Sequence, residues 1–291
     1  MNRLGQCGII HVLTRFLLIL GVLSSTTEGM GLVSERLFGS QGKGIVEPDV
    51  HVLETWGDYA CYTSPMTKAE RFSYACPTPS AVRGVFDAIY VKPGVFRWQV
   101  LRVEILNPIR YISFRRNEVK EKISVVNAGR WMSGKGAFEP MLADASHRLI
   151  GTASRGRTQR QTMALRDVRY RFHAAIIPWK GSGRRAKGYD AVFRRRASVG
   201  KCLFQPCFGL REFPCFFRLV SGGERPDPPE DVNTDLGWML YDVFDLSQPG
   251  DATASPSISV FRAVIRNGVL DVPPYEDPCV RKHVLPGDAD A

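Results

Sequence analysis

Residues 56–93, WGDYACYTSPMTKAERFSYACPTPSAVRGVFDAIYVKP, decide the fold of this chain. The stretch continues from a strand predicted over Val50–Trp56, passes through a polar loop and ends in a short amphipathic helix. In this helix Ser80 is the predicted capping residue, and Pro93 ends the element. The apolar side chains recur at helical spacing, at Val82, Val85, Phe86 and Ile89. A strand followed by a packed helix indicates an α+β fold.

The loop within this stretch combines aromatic rings with cations. Tyr59, Tyr62 and Tyr74 share it with Arg71 and with neighbouring lysine and threonine residues. Unpaired RNA bases stack on aromatic side chains, and cationic side chains neutralise the phosphates between them. We therefore predict that the three tyrosines are stacking platforms for bases and that Arg71 contacts phosphate.

Further strands are predicted downstream of the helix. They cover Phe96–Leu106, Ile109–Phe114 and Leu165–Ile177. Residues 124–160, between the last two, are predicted to be an inserted loop because Gly, Ser and Arg occur there without periodicity. In the last strand, alternation places Arg169, Arg171 and His173 on the face opposite to the apolar side chains.

The order β-α-β-β, closed by another strand, is the ferredoxin-like (RRM-like) pattern, whose open sheet face commonly binds RNA. We assign this domain to residues 49–220, including a cationic helix over Tyr189–Ala197. Residues 221–291 are predicted to form a small antiparallel β C-terminal subdomain with an acidic tail. Asn267-Gly268, a strong hairpin signal, lies within this subdomain.

Charge is distributed unevenly along the chain, whose net charge is +10. Residues 155–218 contain 16 Lys/Arg and 3 Asp/Glu, whereas residues 221–291 contain 5 Lys/Arg and 13 Asp/Glu. So dense a positive segment favours a polyanionic partner, and we predict nucleic acid. The predicted phosphate contacts are Arg71, Arg83, Arg115, Arg116, Arg160, Arg194, Arg195 and Arg196. Arg83 has an alternative role, an i, i+4 ion pair with Asp87 on its own helix.

Several kinds of site are disfavoured by the sequence. The seven cysteines include no Cys-x-x-Cys pair, and no histidine lies near the cluster Cys202, Cys207 and Cys215. Neither a phosphate-binding glycine loop nor a dense carboxylate cluster for two metal ions is present. We therefore predict no cofactor and no metal. RNA is cut without metal when the ribose 2′-OH attacks the adjacent phosphate, with side chains moving the protons.

The first 48 residues resemble no part of a folded domain. Arg3 and Arg15 precede the apolar run FLLILGVLSS, a pattern that mimics a signal peptide but is too short to span a bilayer. Two interpretations follow: translation that starts later, at Met30, or an exported basic protein. We favour the later start, and we expect a cytoplasmic protein without a membrane partner.

Six motifs in order resemble one protein family. They are GDYACYTSP, ERFSYACPTPSAVRG, AIYVKP, LNPIRYISFRRNEVK, TQRQTMALRDVRY and GKCLFQPCFGLREFP, all between residues 49 and 270. The set resembles CRISPR-associated protein family five (Cas five) of the RAMP superfamily, in its subtype I-C variant. The resemblance implies an endoribonuclease that cuts precursor CRISPR RNA within each repeat without metal. It also implies that the protein then stays on the 5′ handle of the mature CRISPR RNA, beside the backbone and large subunits of a surveillance complex, with target DNA as a further candidate partner.

The resemblance also assigns a catalytic group. It places the catalytic tyrosine on Tyr90 in AIYVKP and the catalytic lysine on Lys187 in RRAKGYDAVFRRR. The histidine of the family falls on Gly188, which has no side chain to move a proton. His173 lies on the same strand face as two arginines, and we consider it a replacement for the missing imidazole.

Alternatives to these roles remain open at the level of sequence. Tyr90 is also compatible with a packed aromatic residue, and Lys187 with a simple phosphate contact. His173 is also compatible with an ordinary surface residue. Gly188 favours a second function, in which the protein binds the CRISPR RNA handle as a non-catalytic subunit.

Overall fold

The computed structural model describes residues 48–67, 70–120, 122–138, 156–179, 186–222, 226–250 and 257–282. For Ala186 and Lys187 it describes the backbone alone. The predicted signal-like run and the alternative start at Met30 lie outside the described residues. None of the helices in the described ranges is long and apolar enough to cross a membrane.

Ten strands and three α-helices make up the described fold. The strands are β1 (Val50–Ala60), β2 (Arg71–Phe72), β3 (Phe96–Ile105), β4 (Tyr111–Val119), β5 (Arg157–Pro178), β6 (Phe216–Leu219), β7 (Thr234–Asp242), β8 (Ser259–Arg266), β9 (Val269–Asp271) and β10 (Arg281–Lys282). The helices are α1 (Pro79–Ile89), α2 (Val125–Met132) and α3 (Ala186–Ala197), and a 3-10 turn covers Pro65–Thr67.

All ten strands belong to one sheet, in the order β10-β8-β9-β3-β5-β1-β6. Beside this path β2 and β4 pair with β5, and β7 pairs with β8. Every strand pair is antiparallel except β2 with β5. The predicted α+β character is therefore confirmed at the level of a large antiparallel sheet with few helices.

The helix predicted within the opening stretch is confirmed, with a different cap. Thr78, not Ser80, is the N-cap, because its side chain accepts a hydrogen bond from the amide of Ala81 and Pro79 begins the helix. The four apolar residues predicted to repeat at helical spacing are all buried. Helix α1 therefore packs through the face that its sequence pattern indicates.

An aromatic core joins α1 and α3 to one face of the sheet. The ring of Phe86 in α1 lies 4.8 Å from that of Trp98 in β3, between ring centroids. Phe193 of α3 lies 4.7 Å from the same Trp98 ring. Both helices therefore cover the face that holds Trp98. The register of β3 shifts between Val100 and Arg102, so the following polar residues of this strand lie on the other face.

Strands β4 and β5, which pair as the central hairpin, are both longer than predicted. Strand β5 begins at Arg157 rather than Leu165, and β4 continues to Val119 rather than ending at Phe114. The predicted inserted loop over residues 124–160 therefore contains the start of a strand, and it also contains α2, capped by Ser124. In the extended arm exposed and half-buried side chains alternate, so no apolar pattern indicated a strand there.

Strands β7 to β10 form an antiparallel group that joins the sheet through the pairing of β9 with β3. The predicted hairpin turn is present, since Asn267 and Gly268 both have positive φ, 48° and 73°, and connect β8 to β9. An ion pair ties this group to α1, where Nε of Arg83 lies 2.8 Å from the Asp242 carboxylate. Arg83 also pairs with Asp87 at 2.7 Å, as its alternative role required.

We expect the Asp87 carboxyl group to make folding stability depend on pH in an unusual direction. Burial raises its pKa from 3.8 to about 6, because burial and the Asp242 charge outweigh the neighbouring Arg83. The folded state therefore holds this proton more tightly than the unfolded state. Folding stability from this group is fully present below about pH 4 and is lost as the pH rises through 6.

Substituting Asp87→Asn should remove that loss. From pH 4 to pH 7, the free energy of unfolding of the variant should rise relative to that of wild type by on the order of 2 kcal/mol. Urea denaturation at four pH values measures this difference. The control is Asp271→Asn, whose side chain is 72% exposed. Parallel pH profiles for wild type and the Asp87 variant would contradict the expectation.

Candidate active site

Tyr90 occupies a fixed position at the end of α1. Its backbone N–H donates to the Phe86 carbonyl at 2.9 Å, and its own carbonyl accepts from Nε1 of Trp98 at 2.9 Å. The ring lies 5.5 Å from that of Phe96, and 7% of the residue is exposed. Both backbone groups and the ring of Tyr90 are thus held by neighbours, so its position is set by the core.

The first turn of α3 lies beside the same aromatic group. The ring of Tyr189 is 5.6 Å from that of Phe96, so Phe96 contacts the tyrosines from both elements. Lys187 precedes Tyr189 by two residues in this turn; its side chain lies outside the described residues. The structure therefore brings Tyr90 and the backbone of Lys187 into one neighbourhood.

Lys92 is a second cation at this place, and sequence reasoning missed it. Its Nζ lies 5.3 Å above the ring of Tyr189, a cation–π arrangement. Lys92 belongs to the motif AIYVKP, two residues after Tyr90, and its side chain is exposed. Its position in this motif, close to Tyr90, could have identified Lys92 from the sequence. The neighbourhood thus combines a phenol with an exposed ammonium group, which suits a phosphate ligand.

A buried hydrogen bond ties the start of α3 to β1. Nε2 of His51 lies 2.6 Å from Oδ1 of Asp190, and the two side chains are 1% and 7% exposed. The imidazole also contacts Phe193, at 4.7 Å between ring centroids. This pair holds the first turn of α3 against the sheet. Sequence reasoning had no means of finding it, because its members are 139 residues apart.

His173 lies elsewhere, which corrects its prediction as the replacement imidazole. It stands opposite Val52 of β1 and Arg102 of β3, whereas the neighbouring Phe172 stands opposite Leu53 on the face that α1 and α3 cover. Side chains of successive strand residues point to opposite faces. His173 therefore points away from the helix-covered face, while Tyr90 packs on it.

His173 is already engaged on its own face. Its Nε2 lies 2.8 Å from Oε1 of Glu104, and Arg171 donates to the same carboxylate. Burial works against ionisation of Glu104, but the hydrogen bonds and charges of His173 and Arg171 outweigh it and lower the pKa of this carboxyl group. The arrangement is a charge network on the sheet rather than part of the Tyr90 neighbourhood.

The predicted stacking platforms differ in exposure. Tyr62 is 3% exposed, and burial raises its pKa well above the ordinary value, so it is a core residue and its prediction as a platform is corrected. Tyr59 is half-buried, 4.9 Å from Phe114 between ring centroids. Tyr74 is likewise half-buried against the core. Only part of each of these two rings is accessible to a base.

The predicted phosphate contacts form two groups. Arg71, Arg115, Arg116 and Arg160 lie on or beside the β4–β5 hairpin, and Arg194, Arg195 and Arg196 lie in the last turns of α3. Arg115 and Arg195 are exposed, whereas Arg194 pairs with Asp49 at 2.6 Å. Arg83 belongs to neither group: its ion pairs with two carboxylates, at 18% exposure, correct its assignment to phosphate.

Metal ligands are not grouped within the described part of the chain, where no three His, Cys, Asp or Glu residues come together. Cys61, Cys76 and Cys215 form no disulfide and are buried. Burial raises the pKa of Cys76 to about 12, which keeps this thiol protonated. These cysteines are packing residues.

Comparisons with known proteins agree on one family. A family model described as CRISPR-associated protein (Cas_Cas5) matches residues 51–273. A protein of Mannheimia succiniciproducens, named CRISPR pre-crRNA endoribonuclease Cas5d, is 39% identical over 230 residues, which cover 77% of this chain and 94% of the relative. A protein of the same name from Thermus thermophilus is 34% identical over 235 residues, covering 76% and 90%.

Among solved structures, a crystal structure of a CRISPR-associated protein has a similar fold. The TM-score is 0.53 at 21% sequence identity, over 80% of this chain and 97% of the other. At that identity the likeness concerns the fold alone.

Proposed function

Because this chain belongs to the CRISPR-associated Cas5 family, in its type I-C branch, we propose that it is a precursor CRISPR RNA endoribonuclease acting in the cytoplasm. It cuts within each repeat and stays on the 5′ handle of the product, in a surveillance complex with the backbone and large subunits. The observation that carries this proposal is the contact of Phe96 with both Tyr90 and Tyr189. That contact supports the proposal because Tyr90 and Lys187 are the residues that the family resemblance assigns to catalysis, and Tyr189 follows Lys187 by two positions in α3.

The proposed chemistry requires no metal ion. The ribose 2′-OH attacks the adjacent phosphorus, a new O2′–P bond forms, the P–O5′ bond breaks, and a 2′,3′-cyclic phosphate remains. A proton leaves the 2′-OH and another reaches the O5′ leaving group. In our proposal the Tyr90 hydroxyl takes part in proton transfer, and the Lys187 ammonium stabilises the negative charge that develops on the phosphoryl oxygens. Lys92, whose ammonium group lies over the ring of Tyr189, contacts the same phosphate in this proposal.

We also propose that residues 49–220 form a ferredoxin-like domain, followed by a C-terminal β subdomain over 221–291. Strands β3, β5, β1 and β6 are neighbours in that order, with α1 joining β1 to β3 and α3 joining β5 to β6. This order supports the ferredoxin-like arrangement, because both crossover helices lie on one face of the four central strands. In this arrangement β2, β4 and β7 to β10 are additions to the four-stranded unit.

One experiment tests the proposed activity. Purified protein is incubated in EDTA with RNA carrying its own repeat, and the products are resolved and analysed for a cyclic phosphate end. We expect one cut per repeat. Replacing the ribose at the cut position with 2′-deoxyribose should abolish cleavage and leave binding intact, because the attacking hydroxyl is gone.

A second candidate function is supported by Gly188. Without an imidazole at this position, the chain is also suited to binding the handle without cutting it. Tight binding of wild-type protein to its own repeat RNA with no cleavage, in EDTA or with added Mg²⁺, would establish this function and exclude the endoribonuclease. Cleavage that appears only with Mg²⁺ would contradict the metal-free mechanism.

A further inference from the structure

A polar cavity of about 360 Å³ lies between the β4–β5 hairpin and the loop that follows Gly209. Its walls come from Arg71 of β2, from Arg116, Asn117 and Glu118 of β4, and from the loop residues 210–212. The volume falls within the range of pockets that bind small ligands. None of the proposed catalytic residues contributes to it, so the cavity is separate from the Tyr90 neighbourhood.

The cavity carries an excess of positive charge. Glu118 accepts from Arg71 at 2.7 Å and lies 3.4 Å from Arg160, while Glu212 pairs with Arg116. At the walls of the cavity, three guanidinium groups, those of Arg71, Arg116 and Arg211, therefore meet two carboxylates. Such a balance attracts an anion, and paired guanidinium groups are already oriented by their carboxylate partners.

Two donors at the cavity have no hydrogen-bond partner among the residues that the structure describes. Arg211 is exposed and makes no hydrogen bond or ion pair within the described part of the chain. Nε of Arg116 is buried and has no hydrogen-bond partner among the described residues. A buried donor without an acceptor is costly. The Arg116 side chain is 25% exposed, so an anion in the cavity can approach this guanidinium group.

The loop that closes the cavity is held firmly. Gly209 has φ +81°, and a Cβ at this position would collide with the carbonyl oxygen of Cys61. The Cys61 N–H donates to the Phe208 carbonyl at 3.0 Å, and Phe213 packs 5.8 Å from Tyr59 between ring centroids. Because both ends of the segment 210–212 are packed against the domain, the cavity is formed before any ligand arrives.

We propose that this cavity binds one unpaired nucleotide of the RNA, with its phosphate on Arg211 and Arg116 and its base edge toward Asn117 and Glu118. The inference rests on the proposed function and adds a nucleotide subsite to it. The unpaired guanidinium selects phosphate, and the amide and carboxylate match the donors and acceptors of a base edge. A cavity of this size holds one nucleotide and excludes a base pair.

The first test uses the full chain and a single-stranded RNA with the sequence of its own repeat. Arg211→Ala should weaken binding by about tenfold, the size of one lost charge-assisted hydrogen bond, whereas Arg211→Lys should retain most of the affinity. Arg266→Ala is the matched control, since this exposed arginine lies at the end of β8. Equal affinity of wild type and Arg211→Ala would overturn the proposal.

The second test locates the nucleotide. A series of RNAs carries one neutral methylphosphonate at each position in turn, and a second series carries one abasic site. One methylphosphonate position should weaken binding to wild type more than it weakens binding to Arg211→Ala, because both changes remove the contact with Arg211. An abasic site at that nucleotide should also weaken binding to wild type. The nucleotide pocket would be overturned if the losses of affinity caused by Arg211→Ala and by the methylphosphonate were additive at every position. It would also be overturned if the abasic site caused no loss.

These outcomes are separable from those of the proposed function. Wild type that binds its repeat RNA without cutting it contradicts the endoribonuclease, and the Arg211 measurements still decide the pocket. Wild type that cuts the RNA while Arg211→Ala binds normally retains the endoribonuclease and removes the pocket.

Discussion

Changing Lys187 to alanine should slow cleavage of repeat RNA by about 10²–10⁴-fold, because a positioned catalytic group is lost. The same range applies to Tyr90→Phe, which removes only the hydroxyl and keeps the ring against Phe96. Single-turnover rates at saturating protein measure the chemical step, and a separate titration shows that the RNA still binds. Lys187→Ala should also leave the helical content unchanged, since alanine is a good helix former.

Two variants control for indirect effects. Lys201→Ala removes an equal charge just after α3, and we expect cleavage within a fewfold of wild type. His173→Ala should also cleave normally, because this side chain lies on the other face of the sheet and pairs with Glu104. Normal rates in Lys187→Ala or Tyr90→Phe would contradict the assigned catalytic group. A large loss in His173→Ala alone would move the active site to the other face.

Restoring the missing imidazole should accelerate cleavage. Gly188 is exposed, and a Cβ added there meets nothing within 4 Å, so a side chain can be introduced at this position without a clash at its Cβ. A histidine next to Lys187 in the first turn of α3 supplies the proton-transfer group that the family resemblance places there. We expect a gain of about 10²-fold or more in the single-turnover rate. The gain should depend on pH near 6.5, where an imidazole titrates.

Gly188→Ala is the matched control for this gain. Replacing glycine inside a helix stabilises it by about 0.5–1 kcal/mol, whatever the new side chain does chemically. The alanine variant should therefore be slightly more stable and no faster than wild type. Equal rates for the histidine and alanine variants would show that position 188 has no chemical role in this protein.

The parts of the fold that sequence predicts well are those in which pattern and burial coincide. The α1 helix was predictable because its apolar residues repeat at helical spacing and all pack on the sheet. Asn267-Gly268 was predictable because the two positive φ angles of this turn favour these residue types. In both cases the physical cause is local in the chain.

What sequence did not predict depends on partners that are distant in the chain. The extra length of β5 arises from pairing with β4 in an arm where exposed and half-buried side chains alternate, so no apolar period marks it. The Tyr62 ring looked like a platform because its loop is polar, yet it is buried against Tyr170 and Phe208. The His51–Asp190 and Arg83–Asp242 pairs span more than a hundred residues. A single sequence carries no signal for such pairs.

The same distinction between local patterns and distant contacts applies to the candidate site. Family motifs indicated Tyr90 and Lys187, and the packing of Phe96 shows how their elements come together. His173 was selected by strand alternation. The alternation predicted correctly which face of the sheet His173 lies on, but it carried no information about the face on which Tyr90 packs. Arg211 was not selected at all, because only the closed loop shows that it lines a cavity.

The central position of β5 has a consequence for synthesis of the chain. Thr55 of β1 bonds to the Tyr170 carbonyl of β5, 115 residues later. At about 5–20 residues per second, β1 waits roughly 6–23 s for its partner to be translated. During that interval β1, β3 and β4 lack the strand that they all pair with. Nascent chains therefore expose unpaired strand edges until β5 leaves the ribosome, and a pause in translation between α2 and β5 would lengthen their dependence on chaperones.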